Sequence, residues 1–269
     1  MQAIYSTFIK ELHQFAKNRQ YQRAVLALSG GVDSALALCV ASRALGAKNV
    51  TALILPEIGL TSNEDIEHAK ALADHFGCES HYQPINNFLV DYSFVAWEKT
   101  EAANESLKAH IRATLLHHYS IAQNALIIGS ANKSDLTIGY GTLEGEFAGE
   151  IQLFADVYKT ELVELATLIG LPKELIEKDY SRGLRPHQSD IGDLGAPWAQ
   201  IDEILQQLED KVDPETMIQK GMDALLVHKI NRLVQQNQGK YDHLQKIQIG
   251  RISEAIKRAQ AAEEASSLT

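Results

Sequence analysis

The feature that most constrains the fold is an apolar run at residues 24–28 that continues directly into Ser-Gly-Gly-Val-Asp-Ser at residues 29–34. A second apolar stretch with helical character follows from about Ser34. When a strand ends in a glycine loop at the start of a helix, several backbone N–H groups and the positive end of the helix dipole point to one place. The segment therefore predicts a loop that binds an anion such as phosphate.

The residue types in this loop fit a phosphate. Gly30 and Gly31 have no side chains, so a phosphate can touch the backbone, and the hydroxyls of Ser29 and Ser34 can add hydrogen bonds. The loop lacks the lysine of a Walker A loop, and it is not the Gly-x-Gly-x-x-Gly dinucleotide pattern. The alternative is that Ser34 only caps a helix while the two glycines form a turn.

Two carboxylates are candidate ligands for Mg²⁺. Asp33 lies inside the loop, where a carboxylate repels a phosphate unless a cation lies between them. Asp135 ends the segment Gly-Ser-Ala-Asn-Lys-Ser-Asp at residues 129–135 and is the candidate for the second carboxylate. The pairing is reasonable because Mg²⁺ usually takes one or two carboxylates together with substrate phosphates. The alternative for Asp135 is an acidic residue in the first turn of a helix.

Strand-like and helical patterns alternate through the first half of the chain. The apolar spacing predicts an amphipathic helix over residues 4–17. The strand-like runs are residues 24–29, 49–56, 80–85 and 125–130, separated by helices from about Ser34, from about Ser62 and through residues 105–123. This alternation predicts an α/β fold with an open, mainly parallel sheet and helices on both faces. Ligands of such sheets bind beyond the carboxyl ends of the strands, where residues 29–34, 55–62 and 129–135 fall.

The second half of the chain has a different character. Residues 139–150 carry four glycines and predict a mobile loop, and residues 180–197 form a second loop whose length favours a functional role. From Trp198 onward the pattern is helical. We expect residues 1–269 to form a single domain with a helical C-terminal region at about 198–269.

The composition excludes several classes of protein. The formal net charge of −10 argues against broad binding of nucleic acid or of an anionic membrane. Cys39 and Cys78 form no Cys-x-x-Cys pair, so neither a disulfide scaffold nor a thiolate metal site is indicated. The first residues lack the apolar core of a signal peptide, and no apolar run reaches the roughly 20 residues that span a bilayer. A cytoplasmic enzyme with no nucleic-acid or membrane partner is expected.

The motif residues carry a resemblance to a known family. Residues 28–38, which include the glycine loop, resemble the pyrophosphate-binding loop of the ATP pyrophosphatase, or adenine nucleotide alpha-hydrolase-like, superfamily. Within it the chain is similar to the ammonia-dependent NAD synthetase family over about residues 26–205. The supporting segments, in the order of the family, are residues 52–73, 108–120, 127–142, 156–178 and 181–205.

The resemblance implies a two-step reaction. A nicotinate carboxylate, that of nicotinic acid adenine dinucleotide, attacks the α-phosphate of ATP, which releases pyrophosphate and forms an acyl-adenylate. Ammonia then displaces AMP and gives the amide of NAD. ATP is the co-substrate and Mg²⁺ the metal. Because the chain shows no additional glutaminase domain, ammonia is expected to come from solution or from a separate protein. A homodimer, in which the long helix packs against its twin, is also implied.

The resemblance further implies three sets of site residues. The ATP-binding residues are Ser29, Gly30, Gly31, Asp33, Ser34 and Ser130, and the metal ligands are Asp33 and Asp135. The catalytic residues are Asp33, Lys159 and Ser181, and the substrate-binding residues are Arg112, Glu146 and Lys159. Lys159 would neutralise charge on the phosphates or on the intermediate. Its alternative is a solvated lysine at a helix start, where a cation is unfavourable for the helix dipole.

The sequence departs from the family pattern where the family recognises its dinucleotide. In the long helix, Ser106 and His110 replace an Asn and an Arg, and only Arg112 is kept. The glycine loop has Gly141 and Glu144 in place of aromatic residues, and Glu146 and Glu150 in place of aspartates. Aromatic faces hold a flat ring well, so their loss leaves two alternatives open. One is amidation of a different carboxylate, such as a mononucleotide or a biosynthetic intermediate, and the other is a non-catalytic nucleotide-binding protein.

Overall fold

The structure is a computed structural model that describes residues 2–249. Five parallel strands form one sheet in the order β3-β2-β1-β4-β5. The strands are β1 Arg23–Ala27, β2 Val50–Ile54, β3 Glu79–Tyr82, β4 Ala125–Asn132 and β5 Ile151–Phe154. The predicted α/β fold with an open parallel sheet is confirmed.

Helices connect the strands and continue beyond the sheet. They are α1 Gln2–Asn18, α2 Val32–Leu45, α3 Asn63–Phe76, α4 Asn86–Asp91, α5 Glu101–Gln123, α6 Lys133–Ile138, α7 Lys159–Leu168, α8 Lys173–Ile176, α9 Asp190–Leu194, α10 Trp198–Glu209, α11 Pro214–Gln219 and α12 Ala224–Asn237. None of the helices within residues 2–249 is long and apolar enough to cross a membrane.

The two faces of the sheet bury different helices because successive side chains of a strand point to opposite sides. Leu26 of β1 belongs to a core formed with α1, α2, α3 and α7, in which Phe8 meets Phe154 edge-on with 5.4 Å between ring centroids. The adjacent Val25 points the other way, into a core formed with α5. A separate apolar cluster joins α10, α11 and α12 to Ile138 and Tyr158. The C-terminal helices therefore pack against the end of α6, which follows β4, and against the residue before α7, which follows β5.

Three elements differ from the sequence expectations. Strand β5 was not predicted, because it is short and contains Gln152, which is fully buried. The polar atoms of the Gln152 side chain have partners within the protein. Its Oε1 accepts a hydrogen bond from Ala131 N at 3.2 Å, and its Nε2 donates one to Phe147 O at 2.6 Å. Strand β3 covers Glu79–Tyr82 rather than residues 80–85, and it is an exposed edge strand. The loop at 180–197 contains the short helix α9.

The helical C-terminal region is confirmed over α10–α12, and its predicted part at residues 250–269 lies outside the described residues. The expectation of a single domain over the whole chain stays a prediction, as does the mobility of residues 139–150. The N-terminal helix is confirmed, and helix α3 begins where expected, with Ser62 as its N-cap accepting a hydrogen bond from Asp65 N at 3.0 Å.

The strand order creates a crevice beside β1. Strand β1 pairs with β2 on one side and with β4 on the other, so the chain reverses its direction of travel across the sheet at this point. Ligands of open α/β sheets bind at such a switch point, outside the carboxyl ends of the strands. The loops that follow β1 and β4 begin there, which places the residues after both strands around one crevice.

Gly30 fixes how closely the loop after β1 approaches α3. Its φ is +81°, and a Cβ there would lie 2.5 Å from the backbone oxygen of Asp65. Gly59 has φ +91° with no atom within 4 Å of a Cβ, so it is a matched control. We expect Gly59→Ala to cost about 1–3 kcal/mol of unfolding free energy through backbone strain. Gly30→Ala should cost clearly more, because the backbone of α3 must also move. Chemical denaturation checks this, and equal losses would contradict the close approach.

Candidate active site

The predicted site residues meet around one cavity of about 730 Å³ at the carboxyl ends of the strands. Those that line it are Ser29, Gly31, Asp33, Ser34, Arg112, Ser130, Asp135, Glu146, Lys159 and Ser181. Gly30 is not among the lining residues, because it packs against α3. The structure therefore brings together side chains that are more than a hundred residues apart, and their functional roles stay predictions.

Two hydroxyls, those of Ser34 and Ser29, hold the glycine loop in shape; Ser29 Oγ accepts from Gly31 N at 3.3 Å. Ser34 is buried, and its Oγ donates to the backbone oxygen of Gly31 at 2.9 Å while accepting from Ser29 N at 3.2 Å. The N-cap of α2 is Gly31, with no side-chain cap. The alternative that Ser34 is a simple helix cap is therefore wrong. Ser34 braces the loop from inside, whereas the exposed Ser29 presents its hydroxyl at the cavity.

Lys159 forms the central ion pair of the cavity. Its Nζ lies 2.5 Å from Asp33 Oδ2 and 4.3 Å from the centre of the Tyr180 ring, and the residue is only 4% exposed. It is not a solvated lysine. Burial lowers the pKa of Lys159, but the negative charges of Asp33 and Asp135 outweigh this effect and raise the pKa above its ordinary value. Lys159 therefore carries a positive charge at neutral pH.

Asp135 lies in the same group of charges. Asn132, the N-cap of α6, donates from Nδ2 to Asp135 Oδ2 at 2.6 Å. Burial raises the pKa of Asp135 well above its ordinary value; Lys159 lowers it, and the carboxylates nearby raise it further. These carboxylates are Asp33, Asp190 and Asp202. Asp33 contacts the Lys159 ammonium, and the acidic side chains of Asp135, Asp190 and Asp202 interact with it over a longer range. Acidic groups therefore outnumber the ammonium here, an arrangement that favours a second cation.

The structure offers donors for such a cation. Asp33 Oδ2 is used by Lys159, but Asp33 Oδ1 is buried and has no hydrogen-bond partner. Within residues 2–249, no group of three or more His, Cys, Asp or Glu side chains could hold a metal by itself. Asp33 and Asp135 fit Mg²⁺, which needs few protein ligands when phosphate oxygens and waters supply the others.

A buried carboxylate from the C-terminal helices positions the starts of α6 and α7. Asp202 of α10 is 1% exposed, and it accepts hydrogen bonds from Ser134 Oγ at 2.5 Å and from Thr160 N and Oγ1, both at 2.8 Å. Ser134 Oγ in turn accepts from Lys159 N at 2.9 Å. The sequence does not single out Asp202; its available signal is an aspartate at an apolar-face position of an amphipathic helix.

Ion pairs of basic side chains hold a segment that lines the cavity. The sequence does not single out these side chains. We call residues 178–188 the basic strap; each of its three cationic side chains pairs with carboxylates on other elements. The pairs are Lys178–Asp65, Arg182–Glu146, Arg185–Glu105 and Arg185–Asp193. Lys108 of α5 adds a hydrogen bond to Leu184 O at 2.8 Å. The strap is thereby tied to α3, α5, α9 and the loop at 139–150. Ser181 lies within it and accepts from Gly183 N at 3.0 Å.

The substituted positions of the glycine loop have structural roles. A Cβ on Gly141 would lie 2.5 Å from the ring of Phe147, so this ring fills the space beside Gly141. Glu150 does not line the cavity; it accepts from the Tyr21 hydroxyl at 2.8 Å and from Ile127 N at 3.3 Å. In the long helix, His110 Nδ1 bonds to Ser106 O at 2.6 Å.

Comparison with known proteins assigns the family. The family model described as NAD synthase matches residues 4–243, which is most of the chain. The chain belongs to the NAD synthase family. The NH3-dependent NAD(+) synthetase of Chlorobaculum parvum is similar to this chain. The two are 32% identical over 242 residues, which are 89% of this chain and 86% of that protein.

Solved structures agree with the assignment to the NAD synthase family. The NH3-dependent NAD synthetase of Campylobacter jejuni is 30% identical, with a TM-score of 0.74 over 88% of this chain and 93% of that one. An NMN synthetase from Francisella tularensis has a TM-score of 0.75 over 92% of this chain and 97% of that one. Its identity is 24%, and that likeness shows the shared fold.

The hydrogen bonds that Asp202 accepts from Ser134 and Thr160 predict a measurable loss of stability when they are removed. Asp202→Asn places an amide donor where the carboxylate accepts several hydrogen bonds, and we expect it to cost about 1–3 kcal/mol of unfolding free energy. The matched control is Asp213→Asn, at the exposed N-cap of α11, where asparagine caps as well as aspartate. Thermal and chemical unfolding measure both variants. Equal stability of the two variants would show that the hydrogen bonds to Asp202 contribute nothing to the free energy of unfolding.

Proposed function

We propose that this protein is an ATP-dependent amide ligase that adenylates the carboxylate of nicotinic acid adenine dinucleotide and amidates it with ammonia. The products are NAD, AMP and pyrophosphate. The observation that carries the proposal is the meeting of the loop at residues 29–34, Lys159 and Asp135 in one cavity, in a chain of the NAD synthase family. Such a cavity binds a polyphosphate and stabilises negative charge beside it.

The first step forms the acyl-adenylate. A carboxylate oxygen of the substrate attacks the α-phosphorus of ATP, the bond from that phosphorus to the bridging oxygen breaks, and pyrophosphate leaves. The loop at residues 29–34 binds the leaving phosphates through its backbone N–H groups and the Ser29 hydroxyl, with Ser130 nearby. Lys159 is placed to neutralise the charge that develops on the phosphates.

Asp33 and Asp135 are the proposed ligands of Mg²⁺. The unpartnered Oδ1 of Asp33 and the excess of carboxylates around Lys159 support this assignment. A bound Mg²⁺ would neutralise phosphate charge at this point. Since Asp33 Oδ2 already binds Lys159, the same carboxylate would link the ammonium to the metal.

The second step forms the amide. The nitrogen of ammonia attacks the acyl carbon, the carbon–oxygen bond to AMP breaks, and the nitrogen loses one proton to solvent. Ser181 lines the cavity and is proposed as a hydrogen-bond donor near the reacting groups. Arg112, whose Nε donates to Leu55 O at 3.0 Å, is proposed to bind the substrate. Glu146 is proposed to act at the same end of the cavity through its ion pair with Arg182, and not by contacting the substrate itself. Ammonia is the proposed nitrogen donor of this step.

A second candidate is amidation of a different carboxylate. It is favoured by the glycine loop, where Phe147 fills the space beside Gly141 and leaves no room there for a further aromatic side chain. The third reading, a non-catalytic nucleotide-binding protein, has less support, because Lys159, Asp33 and Asp135 are kept together in the cavity.

The deciding experiment measures pyrophosphate and AMP release with ATP, Mg²⁺ and ammonium, in the presence of different acids. Nicotinic acid adenine dinucleotide and nicotinic acid mononucleotide are supplied separately. We expect release that depends on the dinucleotide, with NAD formed. Release only with the mononucleotide would support the second candidate. No release with either acid, from protein that still binds ATP, would contradict the proposed function.

Lys159→Ala tests the role of the buried ammonium. We expect pyrophosphate release to slow by about 100- to 1,000-fold, since a charge-stabilising group is lost, while ATP binding changes far less. Lys133→Ala is the matched control: Lys133 also pairs with a carboxylate, Glu209 at 2.6 Å, and lies 4.5 Å from the ring centre of Tyr158. It does not line the cavity. Rapid-quench kinetics and calorimetry with ATP measure the two effects; unchanged turnover in Lys159→Ala would remove Lys159 from the mechanism.

We further propose a homodimer in the cytoplasm, where ATP is available. Large apolar side chains are exposed near the long helix: Phe94 is 81%, Trp97 71% and Ile121 83% exposed. Phe94 and Trp97 precede the start of α5, and Ile121 lies near its other end. Burial of such exposed apolar side chains favours association. Light scattering should give twice the mass of one chain at micromolar concentration, and Phe94→Asp combined with Trp97→Asp should give monomers. A single-chain mass for the unaltered protein would contradict the dimer.

A further inference from the structure

The cavity has two ends that differ in charge. Around Lys159, carboxylates outnumber cations, as the surroundings of Asp135 show. The charges that act on Arg112 are a different set, namely Glu57 and Glu146. Glu57 is already paired with Lys108 at 2.7 Å, and Glu146 with Arg182. The end that contains Arg112 and Arg182 therefore keeps one uncompensated positive charge, whereas the Lys159 end is acidic.

Glu146 has no oxygen left for a ligand. Its Oε1 accepts from Arg182 Nε at 2.8 Å and from Arg182 Nη2, and its Oε2 accepts from Thr142 N at 3.0 Å and Thr142 Oγ1 at 2.7 Å. Burial raises the pKa of Glu146, but Arg182 and Thr142 outweigh it and hold the pKa below its ordinary value. Glu146 is thus an ionised anchor, and the group that it anchors is the guanidinium of Arg182.

Arg182 is fixed in orientation from a second side. Its guanidinium carbon lies 5.2 Å from the centre of the Tyr140 ring. The Tyr140 hydroxyl lies 3.1 Å from Asp190 Oδ1 and 2.8 Å from Asp193 Oδ2 and shares its one proton between them, so the ring itself cannot turn freely. Nε and Nη2 bind Glu146, and in the part of the chain that the structure describes Nη1 makes no hydrogen bond. A guanidinium held in this way presents its remaining N–H donors to the cavity that it lines.

We propose that Arg182, oriented by Glu146 and Tyr140, is a specificity-determining residue that binds an anionic group of a carboxylate-bearing nucleotide, together with Arg112. This inference rests on the proposed function, and it names the part of the site that selects the acid. The planar fork of an arginine matches carboxylate and phosphate oxygens, and preorganisation reduces the entropy lost on binding. The Lys159 end then serves ATP, and the Arg112–Arg182 end serves the acid.

The test separates binding of the acid from binding of ATP. Calorimetry measures the dissociation constants of nicotinic acid adenine dinucleotide, nicotinic acid mononucleotide and ATP, each alone, on unaltered protein and on Arg182→Ala. We expect Arg182→Ala to weaken binding of the preferred acid by about 10- to 100-fold, the loss of a charged hydrogen bond, and to change ATP binding by less than about threefold. Arg182→Lys should recover only part of the loss, because a point charge cannot replace the fork.

Two further variants exclude structural explanations. Arg182→Ala leaves Glu146 without its partner, and the freed carboxylate could itself repel the acid. In the double variant Arg182→Ala with Glu146→Gln that charge is gone, and we still expect weak binding of the acid. Arg185→Ala is the matched control, since it loosens the same strap through Glu105 and Asp193. We expect it to change the binding of acid and ATP by similar factors.

The outcomes distinguish this inference from the proposed function. If the unaltered protein binds neither nucleotide acid, both are overturned. If unaltered protein and Arg182→Ala bind the acid equally, or if the double variant binds it like the unaltered protein, the role of Arg182 alone is overturned. If Arg185→Ala reproduces the selective loss of acid binding, the strap as a whole, and not Arg182, carries the effect, and the inference is wrong.

Discussion

A single buried ammonium group, that of Lys159, makes the rest of the cavity possible. Asp190 and Asp202 are buried, and Asp33 and Asp135 are half-buried. Acidic groups that influence one another in this way repel, and removing a charge from water costs several kcal/mol unless a partner compensates. Lys159 provides that partner through its contact with Asp33. The remaining excess of negative charge makes the site receptive to further cations. The acidic end of the cavity therefore lacks positive charge until a ligand binds. This lack of positive charge suits a ligand that brings a metal ion together with its phosphates.

The fold supplies these charges from separate elements rather than from one motif. Asp33 stands at the start of α2, Asp135 at the start of α6 and Lys159 at the start of α7. Each begins a helix at the same edge of the sheet, where the strand order places the crevice. Asp202 reaches them from α10 and binds the segments next to Asp135 and Lys159. The sheet decides where the groups meet, and the C-terminal helices decide how precisely they are held.

The sequence predicts the fold, and it also indicates which residues follow β1 and β4 and so line the cavity, because local patterns determine both. A strand, a glycine loop and a helix start are read directly from residues 24–34, and parallel topology follows from the alternation of strands and helices. Strand β5 escapes such reasoning because Gln152 fits a buried strand only through its bonds to Ala131 and Phe147. The roles of Asp202 and Arg182 likewise depend on partners distant in sequence. Periodicity carries no information about such pairs.

The dependence of the site on Asp202 has a consequence for how the protein matures. During synthesis the strands and the glycine loop leave the ribosome well before α10 does. The segments that contain Asp135 and Lys159 are therefore made before the Asp202 carboxylate that binds them. Until then Ser134 and Thr160 lack their acceptor, and the two helix starts have no shared anchor. A nascent chain can thus contain every cavity residue from the glycine loop to Lys159 and still be unable to align them. The order of the elements along the chain makes this alignment depend on a nearly complete fold.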